Sequence, residues 1–415
     1  MPANGFRPER VSHFGEGRSA QLQKIAPIHF FVYFFTGIAT NFLGPILPLL
    51  VRAWSISDAQ AGSLFAAQFA GSALGSLVST RRPSWSYAIG CACCAFAVPF
   101  MGWASWPLAR SVILLNGIGV GLIINSGNIQ VAGQTQTAGG SGSASLAKVH
   151  FAWGLGALGC PWIIRAVFQW VPSQAFFLLL GGSFATLTVG LLHKRTGAPA
   201  AAPQCAMLSK TTLPPRVQFF FAIALLLYTG TENAISGWLP SFAMRIYTER
   251  GRGGLDGSMQ FSFLGMLCFT LLWAMELIGR GCVPAVLRYV SEPKLFNGTI
   301  ASLFVSVTAL ATIPGRFQDH GAVLCAASAA CGMSLAAIYP LLMGNLLKRA
   351  GSPQGIGWVF TCAPAGAAIL PWISGGAATV SGSVRASLLV PCAAALLLLV
   401  LAPHLYSRPP ETAIS

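Results

Sequence analysis

Twelve apolar runs, most of them 20 residues or longer, divide this chain of 415 residues, and mostly short polar segments separate them. A helix needs about 20 apolar residues to cross the hydrocarbon core of a bilayer. Inside lipid every backbone N–H and C=O must find a partner within the protein, so a chain built this way is restricted to a bundle of transmembrane helices. The runs cover residues 25–51, 58–79, 85–106, 109–132, 146–170, 173–193, 217–246, 259–279, 294–314, 321–347, 355–379 and 384–406. With 54% hydrophobic and only 8% charged residues, the composition excludes an ordinary soluble domain. The fold class expected is an all-α membrane protein of twelve transmembrane helices.

The formal net charge of +15 does not indicate nucleic acid, because the basic residues lie in connectors and not in a patch with interleaved aromatics. Membrane orientation accounts for it: with the N-terminus inside, seventeen of the 25 lysines and arginines fall on the cytoplasmic side. Both termini are then cytoplasmic, as tails 1–24 and 407–415, and a bacterial inner membrane is the expected location. The first run is too long for a signal peptide and is expected to be retained. Most of the eleven cysteines lie inside apolar runs, with no His nearby at metal spacing, and read as small buried residues. No phosphate loop, metal-ligand cluster or catalytic triad spacing is present, so no enzyme activity, metal or cofactor is expected.

Residues 194–216, rich in Pro, Ala and basic residues, read as a linker between six-helix halves at 25–193 and 217–406. The halves echo one another. Gly156-Ala-Leu-Gly-Cys-Pro-Trp-Ile163 matches Gly366-Ala-Ala-Ile-Leu-Pro-Trp-Ile373 at an offset of 210 residues, and Gly44-Pro-Ile-Leu-Pro48 is weakly similar to Gly237-Trp-Leu-Pro240. Parallel repeats of this kind place a solute site between the halves near the midplane.

The chain resembles the major facilitator superfamily from about Ile25 to Tyr406. The resemblance rests on Leu43-Gly-Pro-Ile-Leu-Pro-Leu-Leu50, on Gln60-Ala-Gly-Ser-Leu-Phe65 with Gln68-Phe-Ala-Gly71, and on Gly117-x-Gly-x-Gly-Leu122 followed by Asn125 and Asn128. Tyr228-Thr-Gly-Thr-Glu232, Gly237-Trp-Leu-Pro240 and Trp273-Ala-Met-Glu-Leu-Ile-Gly-Arg280 look most like the fucose-permease branch of sugar:proton symporters. The resemblance implies two pseudo-symmetric six-helix bundles that alternate access to a central cavity. The departures are specific. The loop Gly75-Ser-Leu-Val-Ser-Thr-Arg-Arg82 lacks the usual Asp, Arg110 and Pro161 do not fit the drug:proton antiporter patterns, and Asn41 stands where fucose permeases carry an acid.

Glu232 is the sharpest candidate, a carboxylate in the middle of an apolar run on one helical face with Thr229, Asn233 and Ser236. An acid there costs about 3 kcal/mol unless it faces protein or water. It could carry a coupling proton, or it could serve as a permanent interhelical hydrogen-bond acceptor. Asn41, Gln68, Asn125, Asn128 and Asn233 offer amides that both donate and accept, which suits sugar hydroxyls, although they could equally tie helices together. Trp153, Tyr228, Trp238, Trp273 and Tyr339 are candidate cavity aromatics. Arg81, Arg82 and the i,i+4 pair Glu276 and Arg280 are assigned to a cytoplasmic gate. The expected activity is proton-coupled secondary transport of a small polar solute such as a sugar, with protons and the lipid bilayer as partners, by a monomer. The alternatives are efflux of amphipathic compounds and a membrane sensor that no longer transports.

Overall fold

The computed structural model describes residues 26–79, 82–137, 142–195, 213–248, 263–313, 321–350 and 357–406, so both tails and most of the linker lie outside the described residues. Those residues form thirteen α-helices and no strand. In the first half they are α1 (Pro27–Asn41), α2 (Leu43–Trp54), α3 (Asp58–Val78), α4 (Pro83–Phe100), α5 (Trp106–Thr137), α6 (Gly142–Trp170) and α7 (Ser173–Arg195). In the second they are α8 (Pro215–Thr248), α9 (Phe263–Val286), α10 (Glu292–Thr312), α11 (Gly321–Ala350), α12 (Gly357–Ser381) and α13 (Arg385–Tyr406). Because α1 and α2 make one span with a turn at Phe42, twelve helices are long and apolar enough to cross a membrane. The protein is a multi-pass membrane protein of the all-α class.

Several helix ends differ from the sequence expectation, two of them for a plain physical reason. The third run was expected to reach Trp106, but α4 ends at Phe100 just after Pro99, and Trp106 opens α5 with Pro107 in its first turn, where a missing N–H costs little. The eighth run was expected to stop before Arg280, yet α9 continues to Val286. A charge reads as a boundary only while it lacks partners, and Arg280 has two.

Each half packs in the same pattern. In the first, α1 packs on α6, α3 on α5, α4 on α5 and α4 on α7; in the second, α8 packs on α12, α9 on α11, α10 on α11 and α10 on α13. The closest approaches are backbone to backbone through glycine. A Cβ on Gly156 would lie 2.0 Å from the Phe34 carbonyl oxygen, and one on Gly366 would lie 1.9 Å from that of Leu226. Leu226 follows Phe34 by 192 residues, the separation of Pro48 and Pro240, while Gly366 follows Gly156 by the 210 residues of the stronger echo. Both sequence echoes therefore mark one contact built twice. The repeat extends to side chains at the same separations. A Cβ on Gly37 would meet the Trp153 carbonyl oxygen at 2.1 Å, whereas at the equivalent place Thr229 Oγ1 donates to the Ala363 carbonyl at 2.6 Å.

Lipid gives apolar helices no hydrophobic reason to associate, so these close contacts carry much of the adhesion within each half. Gly156→Val or Gly366→Val should cost at least about 1–3 kcal/mol by overpacking. Thermal unfolding in detergent should show a drop of several degrees for either variant, and little change for Gly182→Ala, where nothing lies within 4 Å of the added Cβ.

Candidate functional site

The middle of the second half holds a three-residue ionic cluster. Arg280 on α9 donates through Nη2 to Glu232 Oε1 on α8 at 3.1 Å, and the same nitrogen donates to Glu276 Oε1 one turn earlier on α9. Tyr228 places its hydroxyl 3.2 Å from Glu232 Oε1 and 3.4 Å from the Leu335 carbonyl oxygen, and its ring packs against Tyr339 with centroids 5.8 Å apart. The i,i+4 spacings of Tyr228 with Glu232 and of Glu276 with Arg280 put each pair on one helical face. The packing of α8 and α9 then turns two local pairs into one network. Two carboxylates share one guanidinium, so the cluster is neutral with one added proton and carries a charge of −1 without it. Exposure separates the acids: 12% of the Glu232 side chain is open against 1% for Glu276, while Arg280 keeps 34%.

The first half presents a neutral polar network. Asn128 Oδ1 accepts from Tyr33 at 2.6 Å and lies 3.0 Å from His150 Nε2. The Tyr33 and His150 rings meet edge to face at 5.4 Å, and His150 is within electrostatic reach of Arg280 across the seam between the halves. Beside this seam Trp153 on α6 meets Trp273 on α9 edge to face at 5.4 Å.

One end of the bundle is tied shut across the halves. Arg245 near the end of α8 binds Asp58 at the start of α3 through two hydrogen bonds of 2.7 and 2.5 Å, a bidentate charge-assisted contact. Asp58 is set by its turn: Ser55 is left-handed at φ 50°, and Ser57 caps α3 with a reciprocal bond to Gln60. Ala59 N–H donates to Thr379 Oγ1 at 2.8 Å, and a Cβ on Gly375 would lie 2.3 Å from the Asp58 carbonyl oxygen. Near the same end Trp162 on α6 donates to Thr270 Oγ1 on α9 at 2.8 Å. These ties run from the middle of the spans to the end that carries the α2–α3 turn.

The structure thus brings Glu232, Glu276, Arg280, Tyr228 and Tyr339 together, although the sequence reading had set Glu276 and Arg280 apart at a gate. Asn128, Trp153 and Trp273 face them. Asn41 and Asn233 occupy equivalent positions and make the same bond, each Nδ2 donating to the carbonyl four residues back, Gly37 at 3.0 Å and Thr229 at 2.8 Å. Asn125 binds Ser79 Oγ at 2.7 Å and the Ser76 carbonyl at 3.0 Å on α3. Two candidates for the cavity are packing residues instead. Gln68 is buried and donates to the Thr40 carbonyl at 2.7 Å, and Trp238 is fully enclosed, its Nε1 on the Pro371 carbonyl at 2.9 Å and its ring against Phe65. Arg82 stands exposed just before α4, and Arg81 lies outside the described residues. Sequence reasoning missed the Asp58–Arg245 tie and the Tyr33 link. The available signal for the first was opposite charge at two equally placed helix ends.

No family model and no curated protein matches the sequence. Solved structures do match. The crystal structure of the nucleoside transporter NupG aligns with a TM-score of 0.70 at 15% identity, covering 92% of this chain and 98% of that one. A crystal structure of a mutant of the same transporter aligns at 0.71 and 16%, covering 92% and 99%. At this identity the likeness establishes the fold alone, which is shared with that transporter.

The closed end yields a direct prediction. Asp58→Asn should loosen it, so that Thr379→Cys in that background reacts several-fold faster with a membrane-impermeant maleimide. The exchange Asp58→Arg with Arg245→Asp should return the rate to that of the parent.

Proposed function

We propose that this protein is a secondary transporter that moves a small polar organic solute of nucleoside or sugar type by alternating access, with a proton carried on Glu232. The observation that carries the reading is the shared guanidinium: two acids and one cation meet in mid-span, in a bundle closed at one end. A cluster of charge −1 is costly in a low-dielectric surround, and one proton removes the imbalance. Glu232 is the acid that water reaches, so it is the one that loads and releases the proton, while the enclosed Glu276 holds Arg280. Tyr228, Tyr339, Asn128 and the Trp153–Trp273 pair surround the space where a solute would lie. That the same fold serves a nucleoside transporter supports nucleosides as the first class to test, and the motifs similar to fucose permeases support sugars beside them.

With both termini cytoplasmic, the tied end faces outward and the cluster opens toward the cytoplasm. The transporter works as a monomer in a bacterial inner membrane, its two six-helix halves rocking about the cavity. A second reading, export of amphipathic compounds, draws support from an apolar cleft of about 700 Å³ between α1 and α6, lined by Phe30, Phe31, Phe34, Phe35 and Phe151.

In proteoliposomes carrying an imposed proton gradient, Glu232→Gln should abolish uphill accumulation of nucleoside or sugar while leaving counterflow exchange at a similar rate. Undiminished uphill uptake by this variant would remove Glu232 from the coupling step.

A further inference from the structure

Two indole N–H groups are buried without a partner, and they lie together. Trp153 Nε1 on α6 and Trp273 Nε1 on α9 have no hydrogen-bond acceptor, although the two rings touch across the seam between the halves. An indole N–H donates only, and a buried one finds an acceptor as a rule. Other tryptophans of this chain follow the rule: Trp162 binds Thr270 Oγ1 across the same seam, and the enclosed Trp238 binds the Pro371 carbonyl. Among the described residues the exception is confined to the place where α6 and α9 meet beside the ionic cluster.

An unpartnered acceptor lies on the same helix within one turn of Trp273. Glu276 Oε2 is also buried without a partner, and Glu276 lies three residues after Trp273 on the same face of α9. Trp273 is 5% exposed and Glu276 is 1% exposed, while Trp153 is half-buried with its Nε1 enclosed, so the unpaired atoms themselves are shielded from solvent. Two indole donors and one acceptor gathered beside aromatic faces, with the unpartnered Arg280 Nε one turn further along α9, describe the complement of a planar ring that carries a carbonyl oxygen next to an N–H.

We propose that the seam between Trp153 and Trp273 is the recognition site for a cyclic amide edge, the carbonyl oxygen accepting from the indole N–H groups and the adjacent N–H donating to Glu276 Oε2. This rests on the transport reading above and narrows its substrate class to nucleosides with oxo bases, such as uridine and inosine. Amino bases, with an acceptor nitrogen where the site needs a donor, fit poorly. The indole rings supply apolar faces for the base, and the parting of the halves at this seam admits its edge.

The test is competition against labelled uridine uptake in proteoliposomes by inosine, adenosine and 3-methyluridine, the last lacking the N–H. Inosine should compete at a concentration at least ~10-fold lower than adenosine or 3-methyluridine, since a site built to bond an N–H rejects analogues without it. Trp153→Phe and Trp273→Phe keep a ring at each position, and each should raise the half-saturating uridine concentration about 10-fold and narrow the discrimination. Trp162→Phe, on the same seam with its N–H already bonded within the protein, should leave discrimination intact, and thermal unfolding should show all three variants folded. Equal competition by all three nucleosides, or wild-type discrimination in the two phenylalanine variants, would mean that water alone meets these donors and would overturn the proposal. Sugar counterflow without uridine uptake would overturn it while leaving the transport reading standing. Absence of flux for every solute would bring down the transport reading as well.

Discussion

One guanidinium shared by two carboxylates sets the terms for the second half of this molecule. In water such a trio would pose no difficulty, since each charge would keep its own hydration. In the middle of a transmembrane bundle every charge must be matched by another or by a proton. Arg280 cannot lose its proton there, so the acids must adjust to it. That asymmetry lets α9 run on past a charge that would otherwise end it, and it ties α8 to α9 in mid-bundle. The first half carries no such load. Its network of Tyr33, Asn128 and His150 is polar without a built-in countercharge.

What the ionic cluster needs around it is rigid placement, and the glycine contacts supply that. Where a Cβ would come within about 2 Å of a neighbouring carbonyl, the two helices touch through their backbones and cannot slide without collision. These contacts recur at equivalent places in the two halves, so each half is stiff along the same pair of helices. The same equivalence puts Asn41 and Asn233 in matching roles, with each amide folded back on its own helix.

Much of this was legible in the sequence, for reasons that lie in the solvent. A bilayer fixes span length, so the twelve runs could be counted. A carboxylate inside such a run stands out, so Glu232 could be found. The offset of 210 residues was visible because close helix approach restricts both copies to Gly at the same position. Arg280 was assigned with Glu276 to the cytoplasmic gate because a charge pair near the end of an apolar window resembles an interface pair until the second acid, 48 positions earlier, is known. Asp58 and Arg245, 187 positions apart, were invisible as a pair because charges at helix ends are ordinary. Trp238 and Gln68 looked like cavity residues because sequence shows that a side chain is polar or aromatic and not which neighbour encloses it.

The crossing of α2 and α8 has a mechanical consequence. Pro240 has no N–H to offer the Ser236 carbonyl, and that freed oxygen would lie 3.1 Å from a Cβ on Gly44, whose own carbonyl is freed in turn by Pro48. With no side chain on Gly44 and no helix bond drawing the oxygen back, α2 and α8 meet there at a smooth point, one of several contacts between the halves. Such a point behaves as a fulcrum. A tilt of a few degrees leaves it almost unmoved and grows, with lever-arm distance, into a displacement of several ångströms at the far ends of helices about 45 Å long.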